Sequence, residues 1–141
     1  MPCGIVNYHT YVPGIKFPGI EDFFKRYTER AKAAKVDELG YYLPPFNYAT
    51  GQMIEAAVNA TKSLDHKKLA DYLRKNTFKT VMGDIRFGAR GEWAEPRILM
   101  TQFQKVNGKE LGQFDQPGTQ VILYPEKFKS GQLVTPFPIG G

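Results

Sequence analysis

Between Thr80 and Arg97 the chain reads TVMGDIRFGARGEWAEPR, a stretch holding three glycines, three carboxylates and a tryptophan. Each of these residue types has a chemistry it could serve. Glycines that cradle phosphate need Gly-x-x-x-x-Gly-Lys-Ser/Thr, or Gly-x-Gly-x-x-Gly, between a strand and a helix. Gly83, Gly88 and Gly91 match neither spacing, and extended sequence follows them. A turn that needs φ > 0 at Gly88 or Gly91 accounts for them better. Asp84, Glu92 and Glu95 could pair for acid–base work. Nothing near them suggests burial that would shift a pKa, so they read as exposed turn acids. Trp93 is expected to pack under the hairpin.

Other reactive groups are sparse. His9 and His66 are the only histidines and Cys3 is the only cysteine. No His-x-x-x-His or Cys-x-x-Cys pair exists, so neither a metal site nor an internal disulfide is expected. No Gly-x-Ser-x-Gly elbow offers a nucleophile. We therefore expect no catalytic residues, no enzyme activity and no cofactor. The aromatic stretches Tyr8–Tyr11 and Tyr41–Tyr48 are the better lead. The second, YYLPPFNY, stands just ahead of a helix, where α/β proteins line clefts with loop residues. Rings beside a helix N-terminus suit a small ligand with an apolar part and a carboxylate. The alternative is that these rings fill core between this connection and the first two helices, which composition alone favours.

The elements that must position these residues can be read from periodicity. Gly4–Val12 is β-branched and aromatic, and Pro13-Gly14 ends it, which predicts a strand. Ile20, Phe23, Phe24, Tyr27, Ala31 and Ala34 form one apolar stripe, predicting a helix to about Lys35. Pro18 and Gly19 mark its start, and Glu21 and Asp22 suit its positive end. A second helix is expected over Asn47–Thr61, with Met53, Ala56, Ala57 and Ala60 as a small-residue inner face. A third is expected over His66–Lys75, with Ser63 or Asp65 as N-cap and Leu69, Tyr72 and Leu73 facing inward. Val81–Phe87 then reads as a strand turned by Gly88–Gly91, and Ile98–Val106 as another. Asn107-Gly108 is the strongest hairpin signal, and a further β-stretch covers Gly118–Tyr124. The Pro- and Gly-rich end reads as a tail lying on the surface.

With 141 residues, 42% hydrophobic and 13% aromatic, the chain is expected to form one folded domain. Its net charge of +5 is scattered, and Asp71 interrupts the densest basic run, HKKLADYLRK, so no nucleic-acid partner is expected. No apolar run approaches a membrane span. The opening MPCGIVNYHTYVPG lacks the parts of a signal peptide, which on its own predicts a chain that stays in the cytoplasm. One mismatch remains in this mixed α/β pattern. Three amphipathic helices need a sheet to cover, yet one strand precedes them and none lies between them. That predicts either part of a larger α/β protein or a sheet completed by another copy.

The ordered set KFPGIEDFFKRY, LGYYLPPFNYATGQMIEAAVNATKSLDHKKLADYLRKNTFKTVMGDIRFGARGEWAEPRILMTQFQKV and TQVILYP resembles the C-terminal third of ABC-transporter substrate-binding proteins. The match is to the branched-chain amino-acid/amide class with the type I periplasmic binding protein fold. It covers nearly the whole chain, most specifically from SLDHKKLADYLRKNTFKTVMGDIRF through GEW. The resemblance implies two α/β lobes joined by three crossing strands, with the solute held between them. Here only a partial fold is expected: an incomplete lobe of three helices plus C-terminal hairpin strands, its sheet completed by another chain. Residues 1–13 would be a strand and hinge from the second lobe, 14–96 part of the first lobe, and 97–141 the third crossing, second-lobe strands and tail.

Members of that family are more than twice this length. The part absent here carries the signal peptide, the serine and threonine contacts to the solute's carboxylate and amino group, and most second-lobe contacts. The resemblance places apolar contacts at Tyr42, Leu43 and Phe46, with Tyr11 near the hinge. The implied partners are an amino-acid, amide or urea-like solute and an ABC permease. The implied compartment is the periplasm. Losing hydrogen-bonding partners for a charged solute costs several kcal/mol, so the chain alone is expected to bind poorly. Uncovered apolar faces and free strand edges further predict a homo-oligomer.

Overall fold

A computed structural model of the chain describes residues 5–95 and 97–135. Cys3, the Gly4 start of the first expected strand and the tail beyond Thr135 lie outside the described residues. Helix and strand are mixed, and the described residues form two compact units. One combines the chain up to Lys16 with the stretch from Arg97 onward, and the other takes the intervening residues from Phe17. Among the described residues, no helix is long and apolar enough to cross a membrane.

The intervening unit opens with helix α1, Ile20–Ala34. Gly19 adopts φ 80° at its N-cap and accepts a hydrogen bond from the Phe23 N–H at 3.0 Å. A side chain disfavours that left-handed backbone. Ile20, Phe23 and Ala31 of the expected stripe are buried, whereas Ala34 at the helix end is exposed. Helix α2 spans Pro44–Thr61, three residues ahead of its expected start. Pro44 and Pro45 are the reason: at the first helical positions no N–H is needed and the fixed φ is already helical. Its buried residues are Pro45, Ala49, Met53 and Ala57. Ala56 and Ala60, expected on the inner face, are exposed. Glu55 is the one charged residue of this helix, so polarity does not mark which side faces in.

Helix α3, His66–Lys75, is capped by Asp65, whose Oδ1 accepts from the Lys68 N–H at 2.9 Å. Arg74 and Lys75 sit at its negative end. Two strands follow where one was expected. β2, Thr77–Thr80, pairs antiparallel with β3, Gly83–Arg86, placing Val81 and Met82 in the turn. These two apolar residues look like strand because the turn itself is buried. Thr80 Oγ1 closes it, accepting from the Met82 N–H (3.1 Å) and donating to the Gly83 carbonyl (2.8 Å). Gly83 supplies the φ of 83°.

The other unit is a three-stranded antiparallel sheet ordered β1 (Val6–His9), β4 (Leu99–Phe103), β5 (Gln120–Tyr124). Its β4–β5 connection is not the two-residue turn that Asn107-Gly108 predicts. Lys105 takes φ 55°, which ends the extended run before Asn107 is reached. The Asn107 N–H then bonds Gln113 Oε1 at 2.9 Å, and a 3-10 helix, Leu111–Asp115, fills the connection. Leu99, Thr101 and Gln102 are fully buried on β4. The Gln102 amide exchanges two hydrogen bonds with the backbone of Val134, at 3.0 and 2.9 Å, and so holds the tail to the strand.

Candidate functional site

The segment leading into α2 is built from the end of α1 outward. The Asp37 carboxylate accepts the N–H groups of Leu39 (3.1 Å) and Gly40 (3.2 Å). The Tyr27 hydroxyl donates to the Asp37 carbonyl at 2.8 Å, and burial with the Asp37 charge raises the pKa of its phenol. Gly40 adopts φ 56°, and a Cβ there would strike the Tyr27 ring. Such a position demands glycine. The ring of Tyr41 then meets Phe24 edge-on at 5.3 Å.

With the loop fixed in this way, Tyr42 is 62% exposed and Leu43 57%. Phe46, one turn further, is half-buried and lies edge-on to Trp93 at 6.1 Å. Tyr48 packs on Phe23 at 5.1 Å, with the Arg26 guanidinium 5.8 Å above it. The choice that the sequence leaves open is thereby divided by residue. Tyr41 makes an internal ring contact, while Tyr42 and Leu43 stand in solvent.

The start of α2 is a poor cradle for an anion, contrary to expectation. Leu43 is its N-cap, so Pro44 and Pro45 occupy the first two helical positions and carry no N–H. The Asn47 N–H is bonded to the Leu43 carbonyl at 3.0 Å, which leaves Phe46 alone with an amide in the first three positions. Apolar contact is what this surface can offer. Tyr11 belongs to the other unit, where it is 3% exposed and is followed by a turn in which the Ile15 N–H bonds the Val12 carbonyl.

In the Thr80–Arg97 stretch the second set of glycines builds a turn. The Gly91 N–H bonds the Gly88 carbonyl at 3.0 Å, with Gly91 at φ 84°. Glu92 Oε2 accepts the Arg90 N–H at 2.9 Å, so this acid closes the turn. Asp84 and Glu95 are exposed. Trp93 pairs with Phe87 across an isolated bridge, and its ring meets Phe46. Among the described residues no three His, Cys, Asp or Glu side chains converge.

Sequence reasoning passes over Arg97 and considers His9 only as a metal ligand; both side chains are partly buried in the sheet unit. Burial pushes the Arg97 guanidinium down to about 10, still protonated at neutral pH, and its Cζ lies 5.7 Å from the Phe128 ring centroid. His9 sits edge-on to Phe103 at 5.9 Å, and burial lowers its pKa. The alternation around Asn7-Tyr8-His9 places His9 on the face opposite Tyr8, a signal that was present. Arg97 carries no comparable signal, since its surroundings come from a segment thirty residues further on. Neither a protein-family model nor a curated protein matches this chain.

Proposed function

We propose that this chain is the C-terminal third of a solute-binding protein of the branched-chain amino-acid/amide class, serving an ABC import system in the periplasm. In this reading its fold is a partial type I periplasmic binding protein fold, and Tyr42, Leu43 and Phe46 form the apolar wall of the solute site. The observation that carries the reading is the exposure of Tyr42 and Leu43 at the end of a loop held by Asp37, Tyr27 and Gly40. Large apolar side chains held in solvent by an ordered loop are suited to burial against a ligand. The chain also runs from one unit to the other twice, after Lys16 and between Glu95 and Arg97, which supports assignment to two lobes.

Polar recognition is assigned to residues outside this chain, because the two prolines strip the α2 start of donors. The solute is an amino acid, amide or urea-like molecule, and an ABC permease receives it. Titration calorimetry compares the 141-residue chain with the longest polypeptide translated from the same reading frame. The expected result is micromolar binding of at least one solute by the longer polypeptide and none that tight by the chain. A longer polypeptide that binds no amino acid, amide or urea overturns the reading, as does a reading frame with no continuation upstream of Met1.

A second reading, self-association through the β1–β4–β5 sheet, has its own support. Tyr8, Met100 and Tyr124 are paired in register across the three strands and remain exposed. A second copy would cover that row.

A further inference from the structure

We propose that Asn107 is a site of spontaneous covalent modification, deamidating through a succinimide to aspartate and isoaspartate, and that of the chain's five asparagines the fold leaves this one open to it. In the step, the backbone nitrogen of Gly108 attacks Cγ of the Asn107 carboxamide. The new C–N bond closes the succinimide ring, the bond from Cγ to the amide nitrogen breaks, and that nitrogen leaves with the Gly108 proton as ammonia. Solvent water then opens the ring at either carbonyl and leaves a carboxylate. Nothing is oxidised or reduced, and water is the only co-reactant.

The chemistry needs a backbone N–H that is not already bonded, a carboxamide free to turn onto it, and no side chain at the next residue to block the approach. Asn107 and Gly108 meet all of these. Both are exposed and lie outside helix and strand. Among the described residues, no hydrogen bond engages the Asn107 carboxamide or the Gly108 N–H. Gly108 sits at φ 70°, and beyond its chain neighbours no atom lies within 4 Å of where a Cβ would stand. The backbone freedom of glycine lets the attacking nitrogen swing toward Cγ.

The other asparagines each fail a requirement. Oδ1 of Asn7 already accepts the Tyr8 N–H at 2.9 Å. Asn47 and Asn59 lie in α2, where the N–H groups that follow them, of Tyr48 and Ala60, belong to the helical ladder. The Asn76 carboxamide donates to the Tyr72 carbonyl at 2.8 Å, and a stiff β-branched threonine follows it. The products alter the β4–β5 connection. Gln113 holds it at two points, Oε1 accepting from the Asn107 N–H (2.9 Å) and Nε2 donating to the Glu110 carbonyl (2.7 Å). Isoaspartate routes the main chain through the side-chain carbon and so adds a methylene between those anchors. Either product lowers the formal charge of +5 by one.

The test ages the 141-residue chain in mildly alkaline buffer, folded and in urea, and follows it by cation exchange and peptide mapping. The folded chain is expected to yield an earlier-eluting species changed at Asn107, and enzymatic methylation of isoaspartyl carboxylates is expected to label it. Asn107→Gln, whose longer side chain must close a larger ring, is expected to lose that species with its circular dichroism unchanged. An Asn107 that stays intact in the folded chain overturns the proposal, whether or not it reacts in urea. So does a modification centred on another asparagine, or an earlier-eluting species that persists in Asn107→Gln.

Discussion

His9 shows how one side chain in the sheet unit couples stability to pH. Its ring lies edge-on to Phe103, and burial lowers its pKa from the ordinary 6.5. The folded chain therefore holds a neutral imidazole where the unfolded chain takes up a proton near the ordinary value. Stability rises with pH wherever the unfolded state binds more protons. His9's contribution is thus fully present above pH 6.5, and it declines as the pH falls from there toward the folded-state pKa. A lower urea midpoint is expected at about pH 5.5 than at about pH 7.5, and His9→Gln is expected to flatten the difference. Equal slopes for the two proteins across that window would show that another group carries the dependence. The neighbouring residues Tyr41 and Tyr42 teach a related lesson. They are chemically identical, yet one packs on Phe24 and the other stands in solvent. Periodicity could mark the segment as aromatic, but the choice between the two is made by Phe24 and the Asp37 loop.

Among the elements, α1 and α3 were legible because charge and apolar residues separate cleanly around them, and Asp65 stands at the N-cap as a helix start requires. α2 was legible in its body and not at its start or on its inner face. Pro44-Pro45 reads as a connection until the chain is seen to use both prolines as helical positions. The β2–β3 hairpin is not legible locally, because its turn, Val81-Met82, is apolar and buried, a pattern that cannot be told from a strand. Asn107-Gly108 failed for the opposite reason: the turn chemistry is present, but Lys105 has already broken the ladder. Of the candidate site, the segment Tyr41–Tyr48 was identified from composition, whereas the Phe46–Trp93 contact joins residues that no local pattern connects. The hairpin makes a checkable claim. Thr80 is buried, and its hydroxyl serves both the Met82 N–H and the Gly83 carbonyl. Thr80→Val keeps the shape and leaves both groups without that partner, which should cost about 1–3 kcal/mol. Urea unfolding measures it, and a loss under about 0.5 kcal/mol would mean that the turn does not depend on this hydroxyl.

For the molecule as a whole, net charge and the sheet surface act in opposite directions. A charge of +5 opposes the approach of two copies. The edge strand β1, Val6–His9, carries no Lys, Arg, Asp, Glu or Pro, so it lacks the charges and prolines that commonly block edge pairing. Tyr8 (61% exposed), Met100 (39%) and Tyr124 (63%) lie in one register across the three strands, forming an apolar row that ends at that edge. Two copies that pair along β1 would extend the sheet and join their rows. Light scattering after size exclusion is therefore expected to give a dimer or larger species. Raising the salt should strengthen it, since screening lowers the net repulsion and leaves apolar contact intact. Tyr8→Lys should return the chain to a monomer with little loss of fold, because it places a charge in the row at a position already mostly in solvent. A wild-type monomer at about 100 μM, a concentration within the range where uncovered edges associate, would sink this reading. A dimer that high salt dissolves would place the interface on charged surface instead of on the sheet.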